Sequence, residues 1–502
     1  MSQIPDLLRI GEIPSNMAME VETQIVEPVI NTESFVRFGL RRSGFLHSDS
    51  KLLLSLDASS FTDIRASGGN DTYSPAFRAG KTFFPASIGI SNLISRVRLM
   101  SGNTVIQEID DFRFLENYRS MFVTNEDNKE KNQYLESKMM GLDLTYQDAE
   151  TSTTDNRSSV KSIGVGLDNA ECYDASYAGS SSADALYDKY VHRCQEIGND
   201  PVYQVNISQL CPFLRQTQLP LYLFEEEVFI EITLCPAIER AQGSQHQMGG
   251  TAAEKLVSYT ISPTETRMVV DYISYPEETM SAWAEANRNL TFSYFDYELS
   301  KFTVNQADGN NGFIRSVGGA GKLVTKMICG LNQDSSNEAA STGIIGRTGV
   351  VHPQPDNVTA NNRVQTNLRY NDRYLYPITV TNDSYHFTNV VSAEGIPPFV
   401  NRGQYSGQGN ATEGFPTITA KSFMGYGQDV NTDAAAGGFA GLTNNFFWQS
   451  FKLNRNERIN QKGIELYQKY LGLGNFNHTI RVWLEVVKVA TLRDGKLRSD
   501  YA

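Results

Sequence analysis

The sequence predicts an all-β protein built from two antiparallel sandwiches in tandem, with short helices and long loop insertions. Three observations carry this. Short aromatic and β-branched runs alternate with polar residues at period two, and clusters of Gly, Asn, Ser and Asp separate them. The 502 residues suffice for two large β domains, each able to bury a core. Residues 267–273 (RMVVDYI) and 481–487 (RVWLEVV) share one pattern: basic, three apolar, acidic, two apolar. Each falls near the end of its own half, as a tandem pair of similar domains would leave behind.

Residues 1–22 read as an N-terminal arm, with Ile4, Leu7, Leu8 and Ile10 ahead of Pro14 as an amphipathic turn or a loose end. Residues 23–288 form the first domain. Strands are predicted around Ile25 to Ile30 and over 34–38 and 51–56, with turns at Arg41-Arg42-Ser43-Gly44 and Ser48-Asp49-Ser50. Residues 88–90 and 94–99 follow as strands. In the latter, Val97 and Leu99 face one way and Arg96 and Arg98 the other. Ser101-Gly102-Asn103 turns the chain into 104–109, a hairpin signal.

Asp110-Asp111 stands where it would cap a helix through Phe112, Leu115, Tyr118 and Phe122. Residues 125–200 turn polar and read as a long surface insertion. Strands return at 203–207, 219–223, 228–234 and 266–273, with Val228, Ile230, Ile232 and Leu234 on one face. A loop spans 242–253, and a helix over 277–288 closes the domain. Residues 289–502 form the second domain. Strands are expected over 292–304, 323–329, 374–380, 417–423 and 479–487, and a helix over 464–471. Polar loops fill 332–343, 401–414 and 428–441.

Composition narrows the function. The net charge of −13 and pI of about 5.1 argue against a nucleic-acid grip over most of the surface. Cys172, Cys194, Cys211, Cys235 and Cys329 are odd in number and widely spaced, so free thiols are expected, not a disulfide framework or zinc site. Met1 to Ile30 shows no basic-then-apolar secretion signal, and no run reaches the ~18 apolar residues of a membrane span. Triplets such as Asn206-Ile207-Ser208 and Asn477-His478-Thr479 fit chance better than glycosylation.

No catalytic constellation emerges. H-E-x-x-H and G-x-S-x-G are absent, and His47, His192, His246, His352, His386 and His478 lie apart. Gly318-Gly319-Ala320-Gly321-Lys322 mimics a phosphate loop, but Ser316 stands where a Gly belongs and Leu323 where a magnesium-binding hydroxyl belongs, so it reads as a turn. The acidic Glu225-Glu226-Glu227 and Glu277-Glu278 read as solvated turns, since neighbouring carboxylates on a strand point to opposite faces. Arg41-Arg42 builds no basic stripe. Arg493, Lys496 and Arg498 read as a solvated basic tail. The expectation is therefore a non-enzyme with no catalytic, cofactor or metal residues. A carbohydrate-binding β-sandwich would call for a secretion signal, calcium site or carboxylate cleft, and a trimeric receptor-binding or tail protein for fibrous repeats; neither pattern is present.

Three segments carry a family likeness: 93–109 (LISRVRLMSGNTVIQEI) with the helical 112–123 after it; Gln218-Leu219-Pro220-Leu221 leading into 228–234; and the ending, Gly463-Ile464-Glu465-Leu466-Tyr467, then 481–489 and 491–497. In order and spacing the chain resembles the double jelly-roll major capsid proteins of polinton-like viruses and virophages. The resemblance implies two tandem jelly-roll sandwiches, a homotrimer forming a pseudo-hexagonal capsomer, and a DNA-virus icosahedral shell tiled by such capsomers. It implies penton and minor capsid proteins as partners, an internal membrane as a further neighbour of the arm, a place in the virion, and no cofactor. On this view 125–200 and the second-half loops are outer or intersubunit features, and Asn445-Phe446-Phe447-Trp448 serves either a subunit contact or the second domain's own core.

Overall fold

Alternating segments become strands whose apolar faces turn inward. The computed structural model describes residues 19–55, 89–120, 202–216, 219–235, 266–287, 289–333, 364–380, 383–396, 448–453, 456–470 and 478–502, with Phe122 and short strands at 62–63, 146–148, 158–160 and 257–258. The first eight principal strands are β1 Glu20–Val26, β2 Phe35–Leu40, β3 Lys51–Ser55, β4 Ile94–Ser101, β5 Thr104–Asp110, β6 Val202–Asn206, β7 Val228–Leu234 and β8 Arg267–Ser274. They pair antiparallel in two sheets, β1-β8-β3-β6 and β2-β7-β4-β5. Two-residue strands extend them, Phe45–Leu46 on β8 and Ile30–Asn31 on β2.

The next eight are β9 Asn289–Val304, β10 Phe313–Gly318, β11 Val324–Gln333, β12 Val364–Tyr370, β13 Arg373–Tyr374, β14 Gln449–Lys452, β15 Ile464–Tyr470 and β16 His478–Arg493. Their sheets run β9-β16-β11-β14 and β10-β15-β12-β13, and a last strand, β17 Lys496–Tyr501, folds back on β16. Counted from the first strand of each set, both sets read 1-8-3-6 and 2-7-4-5. That order, with neighbours far apart in sequence and every pair antiparallel, is a jelly roll, and here it occurs twice. The echoed segments 267–273 and 481–487 lie in β8 and β16, the same position in each roll.

Burial follows the pleat. Val36, Phe38 and Leu40 of β2 point inward while Arg37 stays half-buried, its guanidinium over the Phe229 ring at 3.8 Å. Val97 and Leu99 are buried and Arg98 pairs with Glu108 at 2.6 Å on the other face. At the β4–β5 turn Gly102 takes φ +53°, a left-handed conformation that favours glycine. The three longest helices among the described residues are α1 Phe112–Ser120, α2 Glu277–Ala286 and α3 Asp383–Glu394.

Several expectations need correction. The helix expected over 464–471 is strand β15: Ile464, Leu466, Gln468 and Tyr470 are buried and the residues between them are not, a period of two. Strands are expected over 88–90 and 219–223, but Gly89–Leu93 and Leu221–Leu223 are 3-10 turns, Leu219 makes a single bridge to Leu46, and Ile88 lies outside the described residues. Of the strand expected over 374–380 only Tyr374 lies in a strand, as the end of Arg373–Tyr374, with one further bridge from Val380 to Thr366. The C-terminal basic residues are not a tail: Arg493 pairs with Lys496 at the tip of the β16–β17 hairpin, and Arg498 with Thr491. The first strand starts at Glu20, inside the expected arm, and residues 1–18 lie outside the described residues. So do the strand expected over 417–423, the loops 242–253, 401–414 and 428–441, residues 334–343 of the loop expected over 332–343 (Asn332 and Gln333 instead end strand β11), and the 125–200 insertion, apart from 146–148 paired with 158–160.

Candidate functional site at the seam between the jelly rolls

Among the described residues, those that motif reading singles out do not converge. His47 accepts from the Asp49 amide near the surface, His386 is buried with Nε2 against the Val364 carbonyl at 3.1 Å, and His478 is buried in β16; His192, His246 and His352 lie outside the described residues. Cys211 and Cys329 are buried thiols pushed up to about 12 by burial, and Cys235 is buried too; Cys172 and Cys194 lie outside the described residues. Gly318 to Lys322 is the β10–β11 turn, with Gly318, Gly319 and Gly321 at positive φ, and Lys322 Nζ lies 2.6 Å from Glu298. Glu225 to Glu227 line the approach to β7, where the Glu225 amide donates to Gly495 at 2.8 Å and Arg42 donates to its carbonyl. Glu277 and Glu278 open α2. Among the described residues no group of three or more His, Cys, Asp or Glu side chains is placed to hold a metal ion.

What the structure does bring together is a seam. The edge strand of the first roll, β5, and helix α1 lie against β9, β16 and β14 of the second. One continuous buried cluster runs from Val36 to Leu497 through both rolls. Trp448 and Trp483 are fully buried with ring centroids 5.9 Å apart, and Tyr118 of α1 meets Trp448 edge-on at 5.7 Å. Gly330 makes room for Trp448: a Cβ there would lie 2.4 Å from the indole. Phe213 packs edge-on against Tyr294 at 4.8 Å. Trp448 thus closes the interior between the rolls and is not a subunit face; Phe446 and Phe447 lie outside the described residues.

Polar groups cross the same boundary and are satisfied there. Gln107 of β5 donates to the Phe295 carbonyl at 3.1 Å and accepts from the Phe213 amide at 3.0 Å. Tyr294 of β9 donates to the Ile106 carbonyl. Arg481 of β16 donates from Nε to Asp111 at 2.8 Å and from Nη1 to Asn332 at 3.0 Å, and its guanidinium lies 3.6 Å from the Phe114 ring centroid. Burial pushes the Asp111 carboxyl up, but the Arg481 guanidinium and Lys301 outweigh it and hold that carboxyl below its ordinary range. Burial raises Asp296, with Lys488 at 2.6 Å opposing it.

Deeper in the seam, Lys326 reaches Glu394 at 2.8 Å and Glu485 at 3.0 Å, Tyr118 donates to Glu394 at 2.6 Å, and Tyr297 donates to Glu485 at 3.0 Å. Burial alone would lower Lys326; Tyr297, Glu485 and Glu394 more than offset it and keep the ammonium charged. A paired and hydrogen-bonded arrangement of this kind fixes one relative placement of two bodies, because any shift strands a charge in low dielectric. Its chemistry is structural: among the described residues these groups are engaged with one another within the interior.

The surface divides unevenly. Most exposed large apolar side chains among the described residues lie in two places. Met19, Val21, Ile25, Val29 and Ile30 follow β1 and the turn after it; Tyr374, Ile378 and Tyr385 follow β13 into α3. No helix among the described residues is long and apolar enough to cross a membrane.

No family model and no curated protein sequence matches the chain. Solved structures do. A chain of the Sputnik virophage structure aligns over 100% of this chain and 93% of its own, with a TM-score of 0.58 and 11% identity. The mavirus major capsid protein aligns over 98% and 91%, with a TM-score of 0.52 and 9% identity. The Faustovirus major capsid protein aligns over 96% and 93%, with a TM-score of 0.50 and 9% identity. These likenesses span both rolls and establish the double jelly-roll fold.

Proposed function

We propose that this protein is the major capsid protein of an icosahedral DNA virus, a structural subunit that trimerises into pseudo-hexagonal capsomers and resides in the virion. One observation carries the reading: two jelly rolls of identical strand order, fused through a buried seam of aromatic rings and ion pairs, with no chemical site among the motif residues that are described. Six like bodies from three chains make a six-sided block, and a six-sided block tiles a shell. The fold-level likeness to mavirus and Faustovirus major capsid proteins supports the same role. The division falls between α2 and β9, near residue 289, with 23–288 as the first body and 289–502 as the second. Partners are further capsomers, penton and minor capsid proteins, and an internal membrane beneath the N-terminal arm. Catalysis, a bound cofactor and specific nucleic-acid binding have no part in it.

Light scattering on the purified chain tests this. The expected mass is three times the 55.9 kDa protomer. A mass of one protomer at all concentrations overturns the reading.

A further inference from the structure

Among the described residues, three largely buried lysines of roll two lie within 3.0 Å of a carboxylate: Lys322 on Glu298, Lys326 on Glu394 and Glu485, and Lys488 on Asp296. The first two are ordinary ion pairs. Lys322 sits at the β10–β11 turn, where solvent reaches it. Lys326 divides its charge between two carboxylates and stays an ammonium. The third is a one-to-one pair in the seam, with Asp296 3% exposed and Lys488 18%.

Strand register puts this pair together. Tyr294 of β9 stands opposite Lys488 of β16, and Asp296 stands opposite Val486, so Asp296 and Lys488 are diagonal neighbours on one face. Aromatic rings wall that face: Tyr294 is buried with Phe213 of roll one edge-on against it, and the Tyr501 ring centroid lies 5.0 Å from Lys488 Nζ. Lys488 Nζ is 2.6 Å from Asp296 Oδ2. The other oxygen, Oδ1, accepts from the Tyr297 amide at 2.9 Å and from Gln107 Nε2 of roll one at 3.4 Å. Burial disfavours the charged carboxylate, and it outweighs the lysine and these donors. An amine, a carboxyl driven toward its neutral form, two N–H donors on the oxygen that would take up negative charge, and little access for water are the parts of an amide-forming site.

We propose that Lys488 and Asp296 condense into an intrachain isopeptide bond, Nζ to Cγ, once the two rolls have docked. The ammonium first gives a proton to Oδ2 across the 2.6 Å contact. The neutral amine then attacks Cγ, and Oδ1 takes the negative charge against the Tyr297 and Gln107 donors. The Cγ–Oδ2 bond breaks as a second proton passes from the nitrogen to that oxygen, which leaves as water. The positive and negative charges of the pair are consumed together, nothing is oxidised or reduced, and no co-reactant enters. The step happens once per chain, so it is self-modification without turnover. Gln107 belongs to roll one, so the site is complete only after docking. The bond ties the first and eighth strands of roll two, which then cannot peel apart. It does not depend on the capsomer reading.

Mass spectrometry of the purified full chain, without any substitution, tests this. The intact mass is expected about 18 Da below the sequence mass, one water per chain. Lys488→Arg, which keeps the cation and removes the amine, is expected at its full sequence mass. Trypsin is expected to release residues 289–301 joined to 482–493, uncut after Lys488. A folded chain at its full sequence mass overturns the inference. The same water deficit in Lys488→Arg overturns it too, and so does a deficit confined to the single peptide 289–301, which marks a cyclic imide of Asp296. The decisive measurement is on the unsubstituted protein, so a variant that misfolds does not rescue the proposal.

Discussion

At the scale of single residues, the seam depends on side chains that are costly to bury and are therefore paired. Asp111 and Arg481 show the balance. They stand 370 positions apart in sequence and 2.8 Å apart in the fold. Removing the carboxylate takes the Asp111 charge away from the partly buried Arg481 guanidinium, so Asp111→Asn is expected to cost about 2–3 kcal/mol at neutral pH by chemical denaturation. The pH dependence has a definite sign. Because the folded pKa is lowered, the stabilisation is complete above the unfolded carboxylate value near ~4 and is lost as pH falls through the folded value. The stability gap between the unmodified protein and Asp111→Asn should close as denaturation is repeated toward pH 2; a gap that widens in acid would contradict the pairing. None of these partners was legible from motifs. Gln107, Asp111, Arg481 and Lys326 are ordinary strand and turn residues in one sequence, and only the fold gives them neighbours.

At the scale of elements, periodicity succeeded where one face is plainly apolar. Val228, Ile230, Ile232 and Leu234, or Val97 and Leu99 against Arg96 and Arg98, name their strands outright, and α1 follows the three-to-four spacing of Phe112, Leu115 and Tyr118. It failed at 464–470, where IELYQKY carries strong helix formers such as Glu, Leu, Gln and Lys. Propensity favoured a helix there, and pairing with β10 and β12 on both sides decided for a strand. Gly463 and Gly318 flank the entrance: Gly463 sits at φ +74°, and a Cβ on it would lie 2.7 Å from the Gly318 carbonyl. The pleat makes a sharp prediction. Leu466→Ala should destabilise by about 2–5 kcal/mol, while Lys469→Ala on the opposite face should stay within about 0.5 kcal/mol. Similar losses at both positions, measured by denaturant midpoint, would mean that the element is not a two-faced strand.

At the scale of the whole molecule, the tandem architecture was legible in the length, the turn spacing and the 267–273 and 481–487 echo, whose two copies occupy β8 and β16. The union of the rolls was not, because a repeated pattern says nothing of how its copies touch. The buried cluster passes through both without a break, so the chain should unfold in one calorimetric transition, with equal calorimetric and van't Hoff enthalpies; two resolved transitions would make the seam a weak contact between independent bodies. A rigid pair of rolls has a further consequence. Three such pairs give six lobes, whereas a loosely hinged pair gives no fixed outline. Negative-stain class averages of the assembled protein measure this most directly. Six lobes in a hexagonal outline with threefold symmetry are predicted, and single two-lobed particles or open filaments would contradict the account.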